Sequence, residues 1–130
     1  MGIDHLMINC NDYKAAIRFY SWLMPKLGYP EKMSFEEPAS MTGFIGDGGG
    51  LWVSPSEQSA GGQSFDKRRV GLREVAFRGA SRAQIDQLAK EIPSQGGKIL
   101  DAPREYDYRP GYYSVFFSDP DGIKLEVVHY

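Results

Sequence analysis

The chain states one pattern twice, at a fixed spacing, and this repeat limits its possible folds more than any other feature. Ile3 to Asn9 reads as a short strand, Asp12 as the N-cap of a helix carrying Ala16, Ile17, Phe19, Tyr20, Leu23 and Leu27, and Gly28 as its stop. Sixty-nine positions further on, Leu72 to Arg78 reads as a strand, Ser81 as the N-cap, Ile85, Leu88, Ala89 and Ile92 as the apolar stripe, and Gly97 lies beyond the helix. At this spacing His5 falls on Glu74, Leu6 on Val75, Ile8 on Phe77, Asp12 on Ser81 and Gly28 on Gly97. Pro25 and Pro93 sit near the helix ends, where a missing N–H costs less than in mid-helix.

The tails of the halves also correspond. Asp47-Gly48-Gly49-Gly50-Leu51-Trp52-Val53 aligns with Asp121-Gly122-Ile123-Lys124-Leu125-Glu126-Val127 at an offset of 74. Asp-Gly between apolar runs is a strong hairpin signal, so each half is expected to close with a hairpin whose first arm is Met41 to Gly46 or Tyr112 to Ser118. Each half is then a βαβββ unit that cannot bury both its helix and its sheet alone. The expected fold is a single α+β domain over 1–130: two tandem βαβββ units forming a curved, cup-shaped mixed sheet, with the helices on its outer face. Unit one covers about 1–55, a linker rich in Pro, Gly, Ser and Gln about 56–69, and unit two about 70–130.

Composition narrows the partners. With 15 Lys and Arg against 17 Asp and Glu, the net charge of −2 gives no broad positive field for a phosphate backbone or an anionic membrane, so neither nucleic acid nor membrane is expected. No apolar run approaches the ~20 residues of a membrane span, and a lone cysteine, Cys10, forms no internal disulfide, which together suggest the reducing cytoplasm. Cys10 has no histidine near it in sequence and reads as a buried thiol.

Alternation in the strands sorts the side chains onto faces. Leu6, Ile8, Val75, Phe77, Leu125 and Val127 suit the face beneath the helices. That leaves His5, Met7, Asn9, Glu74, Ala76, Arg78, Glu126 and Val128 to line the concavity. Four positions related by the repeat, His5, Glu74, Trp52 and Glu126, then surround one pocket. His5, Glu74 and Glu126 offer a nitrogen and two carboxylates suited to a divalent Zn, Ni, Mn, Fe or Co ion, with positions left open for a chelating substrate. The alternatives are ordinary ones: a histidine satisfied within the core, and Glu74 ion-paired with Arg73, Arg78 or Arg109.

Ile3-Asp4-His5-Leu6, Phe19-Tyr20, Gly96-Gly97 and, above all, Phe116-Phe117-Ser118-Asp119-Pro120-Asp121-Gly122 followed by Leu125-Glu126 resemble the vicinal-oxygen-chelate superfamily of glyoxalases, bleomycin-resistance proteins and extradiol dioxygenases. The resemblance spans nearly the whole chain. It implies a homodimer of paired βαβββ units and a divalent metal held at positions 5, 74 and 126, and sometimes at 52. In catalytic members the metal binds vicinal oxygens and stabilises an enediolate or comparable anion. Two positions depart from the pattern: residue 74 is Glu where the family usually has His, and residue 52 is Trp where glyoxalase-like members have an oxygen ligand.

Trp52 suggests an aromatic wall for a planar or apolar substrate, and Arg78, Tyr112 and Tyr113 complete the substrate-binding candidates. Glu74, freed by substrate, is the candidate base. Tyr108 and Arg109, in a stretch dense in phenols and cations, are candidates for a proton donor and a clamp on an anionic substrate. Tyrosines beside a Pro-Gly turn also serve as packing. His129 has the opposite strand parity from Glu126 and is not a candidate ligand. The leading expectation is a metal-dependent lyase, isomerase or dioxygenase acting on a small oxygenated molecule. The rival is a metal-free, bleomycin-resistance-like binder using Trp52, Tyr112 and Tyr113.

Overall fold

The computed structural model describes residues 2–36, 40–57 and 62–130. The chain divides into two compact units, Met1–Gln63 and Ser64–Tyr130. The expected linker at 56–69 is thus shared between the units, and its residues 58–61 lie outside the described residues.

Unit 1 runs β1 (His5–Cys10), α1 (Tyr13–Lys26), β2 (Glu31–Phe35), β3 (Met41–Gly46) and β4 (Gly49–Pro55); unit 2 runs β5 (Val75–Arg78), α2 (Arg82–Glu91), a 3-10 turn at Ile92–Gln95, β6 (Lys98–Glu105), β7 (Tyr113–Ser118) and β8 (Lys124–His129). Both are βαβββ. Hydrogen bonding arranges the strands as two four-stranded sheets, ordered β1-β4-β3-β2 and β5-β8-β7-β6. In each, the opening strand pairs in parallel with the closing strand and the rest is antiparallel. The repeat holds at the level of single residue pairs. Leu6 lies opposite Leu51, Met7 opposite Trp52 and Ile8 opposite Val53. Their counterparts in unit 2 are Val75 with Leu125, Ala76 with Glu126 and Phe77 with Val127.

Local chemistry sets the helix starts where they were expected. The Asp12 carboxylate accepts from Ala15 N at 3.0 Å and the Ser81 hydroxyl accepts from Gln84 N at 3.1 Å, each satisfying an orphan amide of the first turn. The ends differ. Helix α1 runs through Pro25 in its last turn and stops with Gly28 at φ +91°. Helix α2 instead tightens into the 3-10 turn containing Pro93, and its left-handed residue is Gly96, at φ +96°, with Gly97 beyond the helix as expected.

One face of each sheet is buried under its own helix. In unit 1, Ala16, Phe19, Tyr20, Leu23 and Met24 of α1 are buried, as are Ile8, Phe44, Leu51 and Val53 of the strands. In unit 2, Ile85 and Leu88 of α2 are buried with Val75, Phe77, Val115, Phe117, Leu125 and Val127. Each such large apolar side chain contributes roughly 1.5–3 kcal/mol on burial. Cys10 is buried, with its thiol donating to Ser54 O at 3.3 Å. No described helix is long and apolar enough to cross a membrane.

The Asp119-Pro120-Asp121-Gly122 turn is built around one buried carboxylate. Asp119 Oδ1 accepts from Asp121 N at 2.9 Å and from Ile123 N at 2.8 Å, while Gly122 takes φ +86°. The motif fixes how β7 returns as β8, and so the register of Glu126.

Candidate functional site: the sheet faces opposite the helices

In unit 1 the face away from α1 carries His5 and Met7 from β1, Trp52 from β4, Met41, Gly43 and Ile45 from β3, and Met33 and Phe35 from β2, as alternation requires. Gly43 lies directly opposite Trp52, and the indole crosses it so closely that a Cβ there would sit 2.8 Å from the ring. Only glycine leaves that room. Phe35 stacks on Trp52, with centroids 6.3 Å apart and planes at 17°. Met7 and Phe35 are each about half exposed, at 54% and 51%. Beside the indole is an open cleft of about 930 Å³, lined among others by Asp4, His5, Met7, Met41, Ile45 and Trp52. Its size, and a wall that joins apolar side chains to Asp4, His5, Asp47 and glycine backbone, suit a small organic molecule with polar groups.

One polar group of that wall is oriented. His5 Nδ1 lies 2.6 Å from Asp4 Oδ1, and because a carboxylate only accepts, Nδ1 carries the proton of this bond. Nε2 is left as the ring nitrogen available to a ligand.

In unit 2 the face away from α2 is polar and aromatic. One cross-strand row holds Ala76, Glu126, Phe116 and Asp101; the next holds Arg78, Val128, Ser114 and Arg104. Glu126 is 3% exposed, and its Oε1 accepts from the Tyr112 hydroxyl at 2.7 Å. Burial, then that hydrogen bond, hold the Tyr112 phenol protonated well above its ordinary range. Glu74, just before β5, pairs with Lys124 Nζ at 2.5 Å, and Lys124 also lies over the Phe116 ring at 4.4 Å. Tyr106 donates to Asp101 at 2.5 Å, and Arg104 reaches the same carboxylate oxygen at 3.2 Å. Burial and then the Asp101 bond push the Tyr106 phenol up to about 12, while the bonds from Tyr106 and then Arg104 lower the Asp101 carboxyl.

The sequence-derived candidates therefore meet different fates. His5 and Trp52 share the unit 1 cleft. Tyr112 and Arg109 line a smaller cavity of about 350 Å³ with Tyr106, and Tyr108, 67% exposed, stacks on Tyr106 at 5.3 Å. Arg78 ends β5 on the face that carries Glu126. Tyr113 does not join Tyr112: it faces α2, where its hydroxyl donates to Asp86 at 2.6 Å and Arg82 lies over its ring. Neighbours on a strand point to opposite faces, so a wall built from both tyrosines is excluded. His129 Nδ1 lies 3.1 Å from Gly79 O, in keeping with its parity.

The donors proposed for a metal are committed elsewhere. Lys124 neutralises Glu74, and Tyr112 holds Glu126. Among the described residues no group of three or more His, Cys, Asp or Glu side chains is gathered as a metal centre requires. Within unit 2, neither Glu74 nor Glu126 is a free carboxylate as it stands. Sequence reasoning missed Asp4, Lys124, Asp101 and Tyr130 as partners. Lys124 and Tyr130 share the strand parity of Glu126, and Asp4 adjoins His5, so a signal was present for these three; Asp101 is placed by a register shift in β6 that alternation does not reveal.

Comparison with known proteins gives a consistent result. Residues 2–127 match the family model of the Glyoxalase/Bleomycin resistance protein/Dioxygenase superfamily. An uncharacterized Bacillus subtilis (strain 168) protein, YqjT, is 30% identical over 127 residues, covering 97% of each chain. The solved structure of a Bacillus halodurans protein provisionally named a glyoxalase is 30% identical, with a TM-score of 0.78, covering 97% of this chain and 93% of that one. A glyoxalase/bleomycin resistance protein from Albidiferax ferrireducens T118, 20% identical with a TM-score of 0.75 over 98% of both chains, shares the fold.

Proposed function

Because the chain belongs to the Glyoxalase/Bleomycin resistance protein/Dioxygenase superfamily, we propose that it binds a small, planar, largely apolar molecule in the unit 1 cleft, without needing a metal. The observation that carries this is the cleft itself: about 930 Å³, with the Trp52 indole laid over Gly43 and an oriented histidine at its wall. The ligand ring lies against Trp52, where flat apolar contact is worth most, and the thioethers of Met7 and Met41 adapt to its outline. His5, held by Asp4, presents Nε2 to one polar group of the ligand, which sets the orientation of the ring plane.

The test is intrinsic fluorescence. The chain has two tryptophans, and Trp22 lies on α1, so Trp22→Phe leaves Trp52 as the sole reporter. Saturable quenching by members of a panel of catechols and fused-ring aromatics, unaltered by prior chelation, is expected. His5→Ala should weaken it, and Trp52→Ala in the otherwise wild-type chain should abolish binding measured by calorimetry. Quenching that requires added metal would overturn the reading.

A metal-dependent lyase, isomerase or dioxygenase is the second reading, and one observation favours it. A carboxylate on one ring nitrogen, with the other left free, is the usual setting of a metal-bound histidine. Glu74 and Glu126 would have to leave Lys124 and Tyr112 to complete such a site.

A further inference from the structure

Several cations of unit 2 are held in ion pairs. Arg68 and Arg69 pair with Asp66, Arg82 with Glu105, Arg104 with Asp101, and Lys124 with Glu74. Arg78 and Arg109 come from different elements, the end of β5 and the turn between β6 and β7, yet converge on one ring. Their Cζ atoms lie 3.5 Å and 4.0 Å from the centroid of Tyr130. Both arginines are exposed, and neither has a carboxylate within ion-pair distance among the described residues.

Two like charges against a single phenol repel each other, and the ring offsets this only in part through its negative face. A guanidinium laid over a ring engages it through its flat side, and its in-plane N–H groups stay free to donate. Glu74 is held by Lys124, and Glu126, which accepts from Tyr112, makes no ion pair with either arginine among the described residues. Beside the arginines the aromatic surface continues: Tyr112 stacks on Tyr130 at 5.5 Å, and Tyr108 meets Tyr112 edge-on at 5.2 Å.

We infer that Arg78 and Arg109, brought together on the ring of Tyr130, form a binding site for a small aromatic molecule bearing an oxyanion, a carboxylate or a phosphate. The guanidinium edges take the oxyanion, and the rings of Tyr108 and Tyr112 beside them take the aromatic ring, since the arginines cover the faces of Tyr130. The site uses no residue of unit 1 and stands independently of the cleft proposed above.

The experiment is calorimetric titration of the whole chain, in low-salt buffer free of phosphate, with phenyl phosphate, benzoate and inorganic phosphate. Saturable one-to-one binding of phenyl phosphate or benzoate, tighter than that of inorganic phosphate, is expected, and whichever aryl anion binds more tightly identifies the oxyanion. Arg78→Ala and Arg109→Ala should each weaken binding by about tenfold or more, as loss of charge-assisted hydrogen bonds does. Tyr130→Leu should weaken it as well. Thermal melts of the variants, whose arginines are exposed, check that the fold persists. Absence of saturable binding by both aryl anions, or binding indifferent to both arginine substitutions, overturns the proposal. Inorganic phosphate binding as tightly as phenyl phosphate overturns its aromatic part.

Discussion

Tyr112 donates its phenol to Glu126 Oε1 across 2.7 Å, and this bond occupies the buried carboxylate at the point of sheet β5-β8-β7-β6 that corresponds to Trp52 in the other sheet. Removing it with Tyr112→Phe leaves a nearly inaccessible charged group short of a partner, which costs about 1–3 kcal/mol. Denaturant melts should show that loss for Tyr112→Phe. They should show a smaller one when Glu126→Leu is added, because the second change removes the orphaned charge. A loss in the double variant equal to the sum of the losses in Tyr112→Phe and Glu126→Leu alone would mean the bond carries no coupling.

Alkaline pH should act through the same face. The folded-state phenols of Tyr106 and Tyr112 are raised, Tyr106 to about 12 and Tyr112 in the same direction, in each case by burial first and then by a carboxylate partner. The native state therefore holds these protons more tightly than the unfolded chain does. Their contribution to stability is complete below the ordinary phenol value of about 10 and is lost as pH rises through the folded-state values. Unfolding free energy followed between about pH 9 and pH 12 should fall, and Tyr106→Phe or Tyr112→Phe should flatten that fall. Phenolate absorbance identifies the late-titrating groups.

Gly43 is expected to govern the cleft without touching a ligand. A methyl at this position meets the Trp52 ring at 2.8–2.9 Å. Gly43→Ala should therefore push the indole off its seat at a cost of roughly 1–3 kcal/mol, as overpacking does. Ligand affinity measured by calorimetry should fall toward that of Trp52→Ala while far-ultraviolet circular dichroism stays native. Undiminished affinity in Gly43→Ala would show that the seat of the indole does not matter.

Metal loading separates the two readings of function. Chelator-stripped protein titrated with Zn, Ni, Mn, Fe and Co should show no tight stoichiometric site, since Lys124 and Tyr112 compete for the carboxylates. Lys124→Ala, which frees Glu74, is the variant in which binding should rise first. Tight wild-type binding that weakens in both His5→Ala and Glu126→Ala would instead establish the metal centre.

Asp119→Ala should be among the more damaging single changes outside the apolar core. The carboxylate is 3% exposed and satisfies two backbone amides, so its loss costs about 1–3 kcal/mol and loosens the return of β7 into β8. The readouts are a lowered melting temperature and faster hydrogen exchange at Asp121 and Ile123.

What could be read from the chain alone is what local chemistry controls. The Asp12 and Ser81 caps, the hairpin arms and the offset that carries Leu6–Leu51 into Val75–Leu125 follow from periodicity and turn residues, each acting over a few positions. Alternation also assigned His5, Met7, Trp52 and Glu126 to the faces opposite the helices. The partners of those residues were decided only by the tertiary structure. A register shift in β6 sets Asp101 opposite Phe116 and Arg104 opposite Ser114, bringing to one face two residues that strict alternation would separate. Lys124 reaches Glu74 across the parallel pair of β5 and β8, and Tyr112 reaches Glu126, fourteen residues further along the chain. Which carboxylate is free and which is taken depends on long side chains meeting across strands, and that is settled by register and reach in three dimensions rather than by spacing along the chain.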